Sequence, residues 1–468
     1  MKYSIQTLGC QMNVADSQRL ASALEKLGYV AAPDDDSADV HVINTCVVRQ
    51  QAEDKAWARL QHLKRLKAQR PEIVIGLMGC LVGVKDPLRL RKQAPFVDVF
   101  IPPSETEPLT AFLQDRRLEA DVITAQVAQR ARLNHWMDEM GESPDLILPA
   151  YERGTLVSAH LPVVYGCSHA CTFCIIPFRR GVERSRPVGE ILRDLRALGT
   201  QGVQEVTLLG QIVDRYGKDV PDGPNLAQLL RLAHQTAEEV GIQRLRFLTS
   251  HPSYFGEDIM EAVADLPRLM PHFEVPIQAG NDEVLANMKR GYTVQQYRDL
   301  VAKIRRMVPD AAIHTDVIVG FPGESPAQFQ DTYDVLAELK LDKVHLAMYS
   351  PRPGTVSERR MVDDVPREEK KRRHSALEDL QASIMADINS RFLGQTVQVL
   401  VEEEVKGKWR GRIPQNKLVF FEDESRDWRG QLVEVEVTWT GPYSMQARLP
   451  QVTLPQAPLG EFIPLTAL

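Results

Sequence analysis

The sequence predicts an α/β chain in three parts: an N-terminal βαβ parallel-sheet domain, a central partial (βα)6 barrel and a small C-terminal β-barrel. Three observations point there. Over residues 1–124, strand-like alternation repeatedly gives way to helical spacing. The same rhythm recurs six times across 157–388, and from 391 to 455 short alternating strands follow one another. At 468 residues, 43% hydrophobic and 25% charged, the chain has the composition of a folded multidomain protein. A net charge of −7 argues against a generally basic nucleic-acid coat, though not against a local basic patch. The longest uninterrupted apolar stretch, 73–84, has twelve residues and holds three glycines and a cysteine, too few to span a bilayer. Residues 1–4 lead into a strand with no apolar leader run, so a cytoplasmic protein without membrane contact is expected.

The N-terminal elements share one design. Residues 2–9 alternate and end at Leu8-Gly9-Cys10, and 14–27 carry Leu20, Leu24 and Leu27 at helical spacing. A strand at 40–43 ends at Asn44-Thr45-Cys46, a helix-like run fills 47–69, and a strand at 72–78 ends at Gly79-Cys80. In a βαβαβ unit those strand ends lie on one edge of the sheet, where ligand sites gather. One such cysteine is most simply a buried core thiol. Three in register predict a metal or iron–sulfur site.

Residues 125–156 show no clean period and read as a linker. Strands follow at about 161–165, 205–209, 244–248, 272–276, 312–317 and 343–348, with helical runs such as 188–198 and 226–240 between them. Such repeats suggest a barrel whose site lies at the carboxyl ends of the strands. There stand Gly210-Gln211, Ser250-His251-Pro252, Gln278-Ala279-Gly280, Gly320 through Gly323-Glu324, and Ser350. The loop after the first of these strands reads Cys167-x3-Cys171-x2-Cys174. Zinc usually takes four ligands in two pairs, and no fourth cysteine stands nearby. Three thiolates on one short loop suit a [4Fe–4S] cluster with one iron open. His169, alone in that loop, is expected to be solvated.

That triplet, with Phe173 before its last cysteine, resembles the radical S-adenosylmethionine (SAM) superfamily. The resemblance implies that the open iron holds SAM and that one electron cleaves it to a 5′-deoxyadenosyl radical. Asp316-Val-Ile-Val-Gly320 with Gly323-Glu324 resembles the superfamily strand that holds the adenine of SAM. Phe173, Gln211, Gln278, Asp316 and Gly320 are therefore the expected cofactor-binding residues. Thr7-Leu-Gly-Cys10-Gln-Met-Asn13, Asn44-Thr-Cys46-Val-Val-Arg49 and Met78-Gly-Cys80 resemble the methylthiotransferase family. So do Cys174-Ile-Ile-Pro177, Arg180-Gly181 and Ser185-Arg186, and the likeness runs from about residue 1 to 450. It implies a second [4Fe–4S] cluster on Cys10, Cys46 and Cys80 that carries sulfur, and a C-terminal RNA-holding domain, TRAM. Gln11-Met12-Asn13, Val47-Val48-Arg49 and Gly411-Arg412 with 416–420 resemble the branch that methylthiolates carbon 2 of N6-isopentenyladenosine at tRNA position 37. Ile212 stands where the family has Asn. Asp214-Arg215-Tyr216-Gly217 is similar to the branch that acts on a ribosomal-protein aspartate, which is the alternative. The implied partners are tRNA and an electron donor such as flavodoxin or ferredoxin, and a monomer is expected.

The last domain, 391–455, is OB-like in its strand spacing, and 456–468 form a tail. Its nine basic and nine acidic residues cancel. Lys406, Lys408, Arg410, Arg412 and Lys417, however, have no acid between them and are interleaved with Trp409. They are the expected RNA-binding residues, by phosphate contact and base stacking. Arg179, Arg180, Arg184 and Arg186, and the group Arg367, Lys370, Lys371, Arg372 and Arg373, are further basic clusters. Arg59, Lys64, Arg65, Lys67 and Arg70 read as a solvent face.

Overall fold

The computed structural model describes residues 1–48, 50–85, 87–119 and 146–450. Arg49, the first two-thirds of the expected linker and the 456–468 tail lie outside the described residues. The chain divides into two compact units, Met1–Met385 and Ala386–Leu468.

The first unit begins with five parallel strands. These are β1 (Lys2–Thr7), β2 (Val30–Ala31), β3 (Val40–Thr45), β4 (Val74–Gly79) and β5 (Val99–Ile101). They are ordered β2-β1-β3-β4-β5, the doubly wound order whose direction reverses between the first and third strands. Helices α1 (Gln11–Lys26), α2 (Gln50–Gln69), α3 (Leu88–Gln93) and α4 (Glu107–Glu119) complete the domain. β3 and β4 are buried along their whole length. Side chains from their opposite faces enter two separate apolar cores, one around Leu60, Ile75 and Leu77 and one around Leu20, Val42 and Val74.

Six strands of the middle region follow the expected rhythm. They are β6 (Ser158–Pro162), then β9 (Glu205–Leu209), β10 (Arg244–Leu248), β11 (His272–Glu274), β12 (Ala312–Val319) and β13 (Lys343–Met348). Between β6 and β9 a short antiparallel pair, β7 (Val164–Tyr165) and β8 (Arg184–Ser185), flanks the cysteine loop. β6, β9 and β10 form one parallel sheet and β11, β12 and β13 another. The two are joined where Leu245 bridges Leu269 and Ser250 N donates to Glu274 O at 3.0 Å.

Helices α5 (Ile176–Arg180), α6 (Val188–Thr200), α7 (Leu226–Val240), α8 (Glu257–Asp265), α9 (Asp282–Asn287), α10 (Val294–Met307) and α11 (Pro326–Leu339) wrap it. Asn225 with Gln228, Thr293 with Gln296 and Ser325 with Gln328 cap three of them reciprocally, answering the free N–H groups of a first turn. Alternate strand residues, Val206, Leu208, Leu245, Phe247, Phe273 and Val317, enter the core shared with the helices. The intervening positions hold Glu205, Arg246, His272, Glu274, His314 and Asp316, so period two leaves the inner face polar. α12 (Val356–Arg360) and α13 (Arg367–Ser390) close the sequence of helices.

Residues 146–156, expected as the end of the linker, are structured. Leu146 and Leu148 are buried in the central core, and Ile147 N and Leu148 N donate to Ser22 Oγ and Gln201 Oε1, both at 2.8 Å. The three-residue apolar run Leu146-Ile147-Leu148 is too short to show a period, so it did not reveal this packing.

The second unit is a closed barrel of β14 (Thr396–Val405), β15 (Lys408–Arg412), β16 (Leu418–Phe421), β17 (Leu432–Thr440) and β18 (Met445–Arg448). Gly411 lies where a Cβ would come within 2.2 Å of Leu400 O, so only glycine admits the approach of β15 to β14.

Candidate active site

The topology brings Cys10, Cys46 and Cys80 together. They follow β1, β3 and β4, at the crevice where strand order reverses. Gly9 has φ 144° and Gly79 φ 98°; a Cβ on them would sit 2.8 Å from Cys46 Cβ and 2.5 Å from Thr45 O. Glycine lets these turns close on one another. Two asparagines brace the loops. Asn13 Nδ2 donates to Leu8 O and Thr45 O at 3.1 and 2.9 Å, and Asn44 Nδ2 to Asn13 O at 2.8 Å. Cys10 is the N-cap of α1. Burial pushes the Cys80 thiol up to about 11, opposed by the nearby Arg180 guanidinium and reinforced by Cys46 and Cys10.

Arg180, expected beside the cluster loop to meet RNA, is 7% exposed and turned inward. It donates to Asn13 Oδ1 at 2.9 Å, Asp16 Oδ2 at 3.0 Å and Ser104 Oγ at 3.1 Å. Arg186 is likewise buried, on Asp194 at 2.7 Å and Pro162 O at 2.9 Å. Of that cluster, Arg179 is half-buried and Arg184 exposed. In the later cluster, Lys370 reaches Asp363 at 2.5 Å and Arg373 reaches Glu324 at 2.7 Å, both buried. Of the helix face expected to be solvated, Arg59, Lys67 and Arg70 pair with Asp35, Asp98 and Asp39.

Cys167, Cys171 and Cys174 lie on the loop between β7 and α5. Thr172 docks it on the end of α9, its N and Oγ1 donating to Met288 O and Asn287 O at 3.1 and 2.8 Å. Those carbonyls would otherwise lack partners at a helix end. Burial, with Cys171 and Cys167 adding, pushes the Cys174 thiol up to about 12. His169 is not simply solvated. Its Nδ1 lies 3.2 Å from Cys171 Sγ and its ring centroid 4.5 Å from that of His251. Arg290 donates to the same sulfur at 3.2 Å. The sequence reading missed Arg290 because a basic residue after a helix ordinarily serves its C-terminus.

The expected cofactor-binding residues line the same mouth. Phe173 meets Phe321 edge to face at 6.5 Å. Gln278 is buried at φ 72°, its backbone bridging β12 through Asp316 O and Ile318 N at 2.9 and 3.0 Å. Asp316 and Glu274 share the inner face; burial lifts their carboxyls to about 6 and about 7, and Asp316 adds to the rise of Glu274. Gln211 is half-buried, and Ile212 is buried beside it. Gly320 packs against α13. A Cβ there would lie 2.3 Å from Lys370 Cγ, and its N–H donates to Glu324 Oε2 at 2.6 Å.

In the C-terminal barrel, Trp409 is 6% exposed in the apolar core, its indole N–H donating to Asp423 O at 2.9 Å. It cannot stack on bases, contrary to expectation: alternation along β15 turns it inward between outward cations. Lys408, Arg410 and Arg412 face Glu422, Glu403 and Glu402 across strands. Lys406 sits at the β14–β15 turn with φ 54°, and Lys417 just before β16. Trp439 and Tyr443 are the exposed aromatics of this barrel.

A groove of ≈ 410 Å³ adjoins both cysteine groups. Val47 and Leu81, next to Cys46 and Cys80, line it with Ile175, next to Cys174. Its charged lining is Lys85, Arg89, Arg179 and Arg352 against Glu53, with Trp57 among them. Among the described residues, no carboxylate lies within salt-bridge distance of Lys85, Arg89 or Arg179, and Arg179 Nε is buried without a hydrogen-bond partner.

Among the described residues, no three His, Cys, Asp or Glu side chains are spaced to hold a single metal ion. Two sets of three thiols, each near a buried arginine, suit the larger, thiolate-bound iron–sulfur clusters. No described helix is long and apolar enough to cross a membrane.

Comparisons with known proteins agree with this architecture. The family model described as Uncharacterized protein family UPF0004 matches residues 2–102, the Radical SAM superfamily 161–336 and the TRAM domain 390–449. A tRNA-2-methylthio-N(6)-dimethylallyladenosine synthase of Roseiflexus sp. (strain RS-1) is 45% identical over 96% of this chain and 89% of its own. A relative of the same name from Herpetosiphon aurantiacus is 42% identical over 97% and 98%. Among solved structures, the radical SAM methyltransferase TsrM of Kitasatospora setae has a TM-score of 0.53 at 15% identity. It covers 76% of this chain and 74% of that one, a likeness of fold. With thiols, barrel and near-full-length identity in agreement, the chain belongs to the radical SAM methylthiotransferase family, among enzymes that bear the name tRNA-2-methylthio-N(6)-dimethylallyladenosine synthase.

Proposed function

We propose that the chain adds a methylthio group to carbon 2 of N6-isopentenyladenosine at position 37 of tRNA, using two iron–sulfur sites. The observation that carries this is the pair of three-thiol sites at the carboxyl edges of two parallel sheets, with a basic groove running past both. The names of the relatives support the tRNA substrate. Cys167, Cys171 and Cys174 would hold one [4Fe–4S] cluster, which would supply the electron for reductive cleavage of SAM and so the radical chemistry at carbon 2. Cys10, Cys46 and Cys80 would hold a second, which would supply the sulfur, with a second SAM molecule supplying the methyl group.

The chain's own residues do the rest. Thr172 and Arg290 fix the first loop, while Asn13, Asn44 and Arg180 fix the second site. The polar inner face, with Gln278, Asp316 and Glu274, offers hydrogen-bonding groups to the polar parts of SAM. Lys85, Arg89 and Arg179 offer charge to RNA phosphates, and the aromatic Trp57 a surface for a base. A one-electron donor such as flavodoxin or ferredoxin reduces the protein.

Cys46→Ala decides the matter. Iron after anaerobic reconstitution should fall from about eight to about four per chain. SAM cleavage should persist while methylthiolation of tRNA is lost. Retained methylthiolation would sink the two-site reading, and activity on a ribosomal-protein aspartate with none on tRNA would sink the substrate.

A further inference from the structure

Arg290 is a buried cation with no carboxylate at salt-bridge distance; Asp316 feels its charge from farther off. It is 5% exposed, yet among the described residues its guanidinium has no Asp or Glu within salt-bridge distance. Arg180, Arg186, Arg246 and Arg373 are also buried, and each faces a carboxylate: Asp16, Asp194, Glu205 and Glu324. A buried charge is costly unless paired. Arg290 instead donates to Tyr292 Oη at 3.1 Å, Pro276 O at 3.3 Å and Cys171 Sγ at 3.2 Å. Of these, only the sulfur can carry a negative charge without proton loss from a tyrosine.

The frame around it is tight. Arg290 follows α9, whose last carbonyls are held by Thr172 of the cysteine loop itself. Tyr292 Oη is anchored on Pro276 O and Ile277 O at 3.0 and 2.7 Å. The guanidinium cannot swing away from the sulfur without breaking these ties.

We propose that Arg290 is the charge-compensating residue of the Cys167, Cys171 and Cys174 site, and that through Cys171 it sets how readily that site accepts an electron. One electron passes from a low-potential donor protein, which is oxidised, to the site, which is reduced. No bond forms or breaks, and the site gains one negative charge. A fixed positive charge and a hydrogen bond to a ligating sulfur both favour the more negative state, and in a buried setting they are weakly screened. The inference rests on the radical SAM reading of this loop and not on the second cluster.

The test uses the full chain with Cys10→Ala, Cys46→Ala and Cys80→Ala, reconstituted anaerobically, so that iron reports this site. A redox titration followed by electron paramagnetic resonance gives its midpoint potential, and equilibrium dialysis gives the dissociation constant of SAM. Arg290→Gln should lower the reduction equilibrium constant about tenfold, ~59 mV for a one-electron couple, while Arg290→Lys keeps most of the wild-type value. An unchanged potential in Arg290→Gln overturns the proposal; if SAM binding weakens at the same time, Arg290 belongs to the carboxylate of SAM instead. Iron lost from Arg290→Gln but kept by Arg290→Lys supports it, because both variants delete the guanidinium fork and only one deletes the charge. Loss from both makes Arg290 a scaffold for the loop and overturns it. Absence of iron in the parent chain removes the cluster reading and this inference together, and is seen before any Arg290 variant is made.

Discussion

Glu274 faces Asp316 on the inner side of the barrel, and burial lifts its carboxyl from the ordinary 4.5 to about 7. The folded chain therefore binds more protons than the unfolded chain between these values. Stability must fall as pH rises through that window. Glu274→Gln removes the penalty, so it should unfold later than wild type at pH 8, by on the order of 1–3 kcal/mol, and equally at pH 4. Anaerobic thermal unfolding at the two pH values checks this; equal curves at pH 8 would place the carboxyl in water. The contrast with the cysteines shows what a sequence carries at this scale. Their roles are legible because spacing alone puts three thiols on one loop and three at strand ends. The roles of Arg290 and Trp409 depend on what lies across from them. Trp409 shares β15 with three cations, and the pleat puts it on the opposite face from them.

At the scale of elements, strands that alternate on their own were readable, whereas β2 and β5 were not. β12, eight residues long, announces itself by alternation; β2 and β5, two and three residues long, are set by their neighbours' hydrogen bonds. The acid-free run on β15 likewise has partners that its own sequence does not show: β14 and β16 bring Glu402, Glu403 and Glu422 alongside it. α5 shows what pairing between elements does. Its Arg180 reaches Asp16 of α1, with both side chains at most 2% exposed. Arg180→Met leaves Asp16 as an uncompensated buried charge, which should cost about 3–5 kcal/mol. Adding Asp16→Asn should recover much of that loss. A double-mutant cycle from anaerobic denaturant melts measures it, and strictly additive losses would show that the two groups do not couple.

On the scale of the whole molecule, the chain's net charge of −7 concealed a basic groove in the first unit. Its cations come from residues 85, 89, 179 and 352, which only folding assembles. If RNA phosphates lie there, changing Lys85, Arg89 and Arg179 together to Ala should weaken binding of a tRNA anticodon stem-loop. It should also flatten the slope of log K against log salt by about 2, at ~0.7 per contact to single strands. An unchanged slope in fluorescence anisotropy would remove the groove from the RNA path. The same region holds a ruler. Cys174 belongs to one thiol site and Arg180 braces the other, with five residues between them, the last four already in α5. One inserted residue would turn the guanidinium through about 100° and carry it off Asp16. Loops elsewhere can lengthen or shorten as homologues diverge, but the chain between Cys174 and Arg180 has a length that the chemistry itself counts.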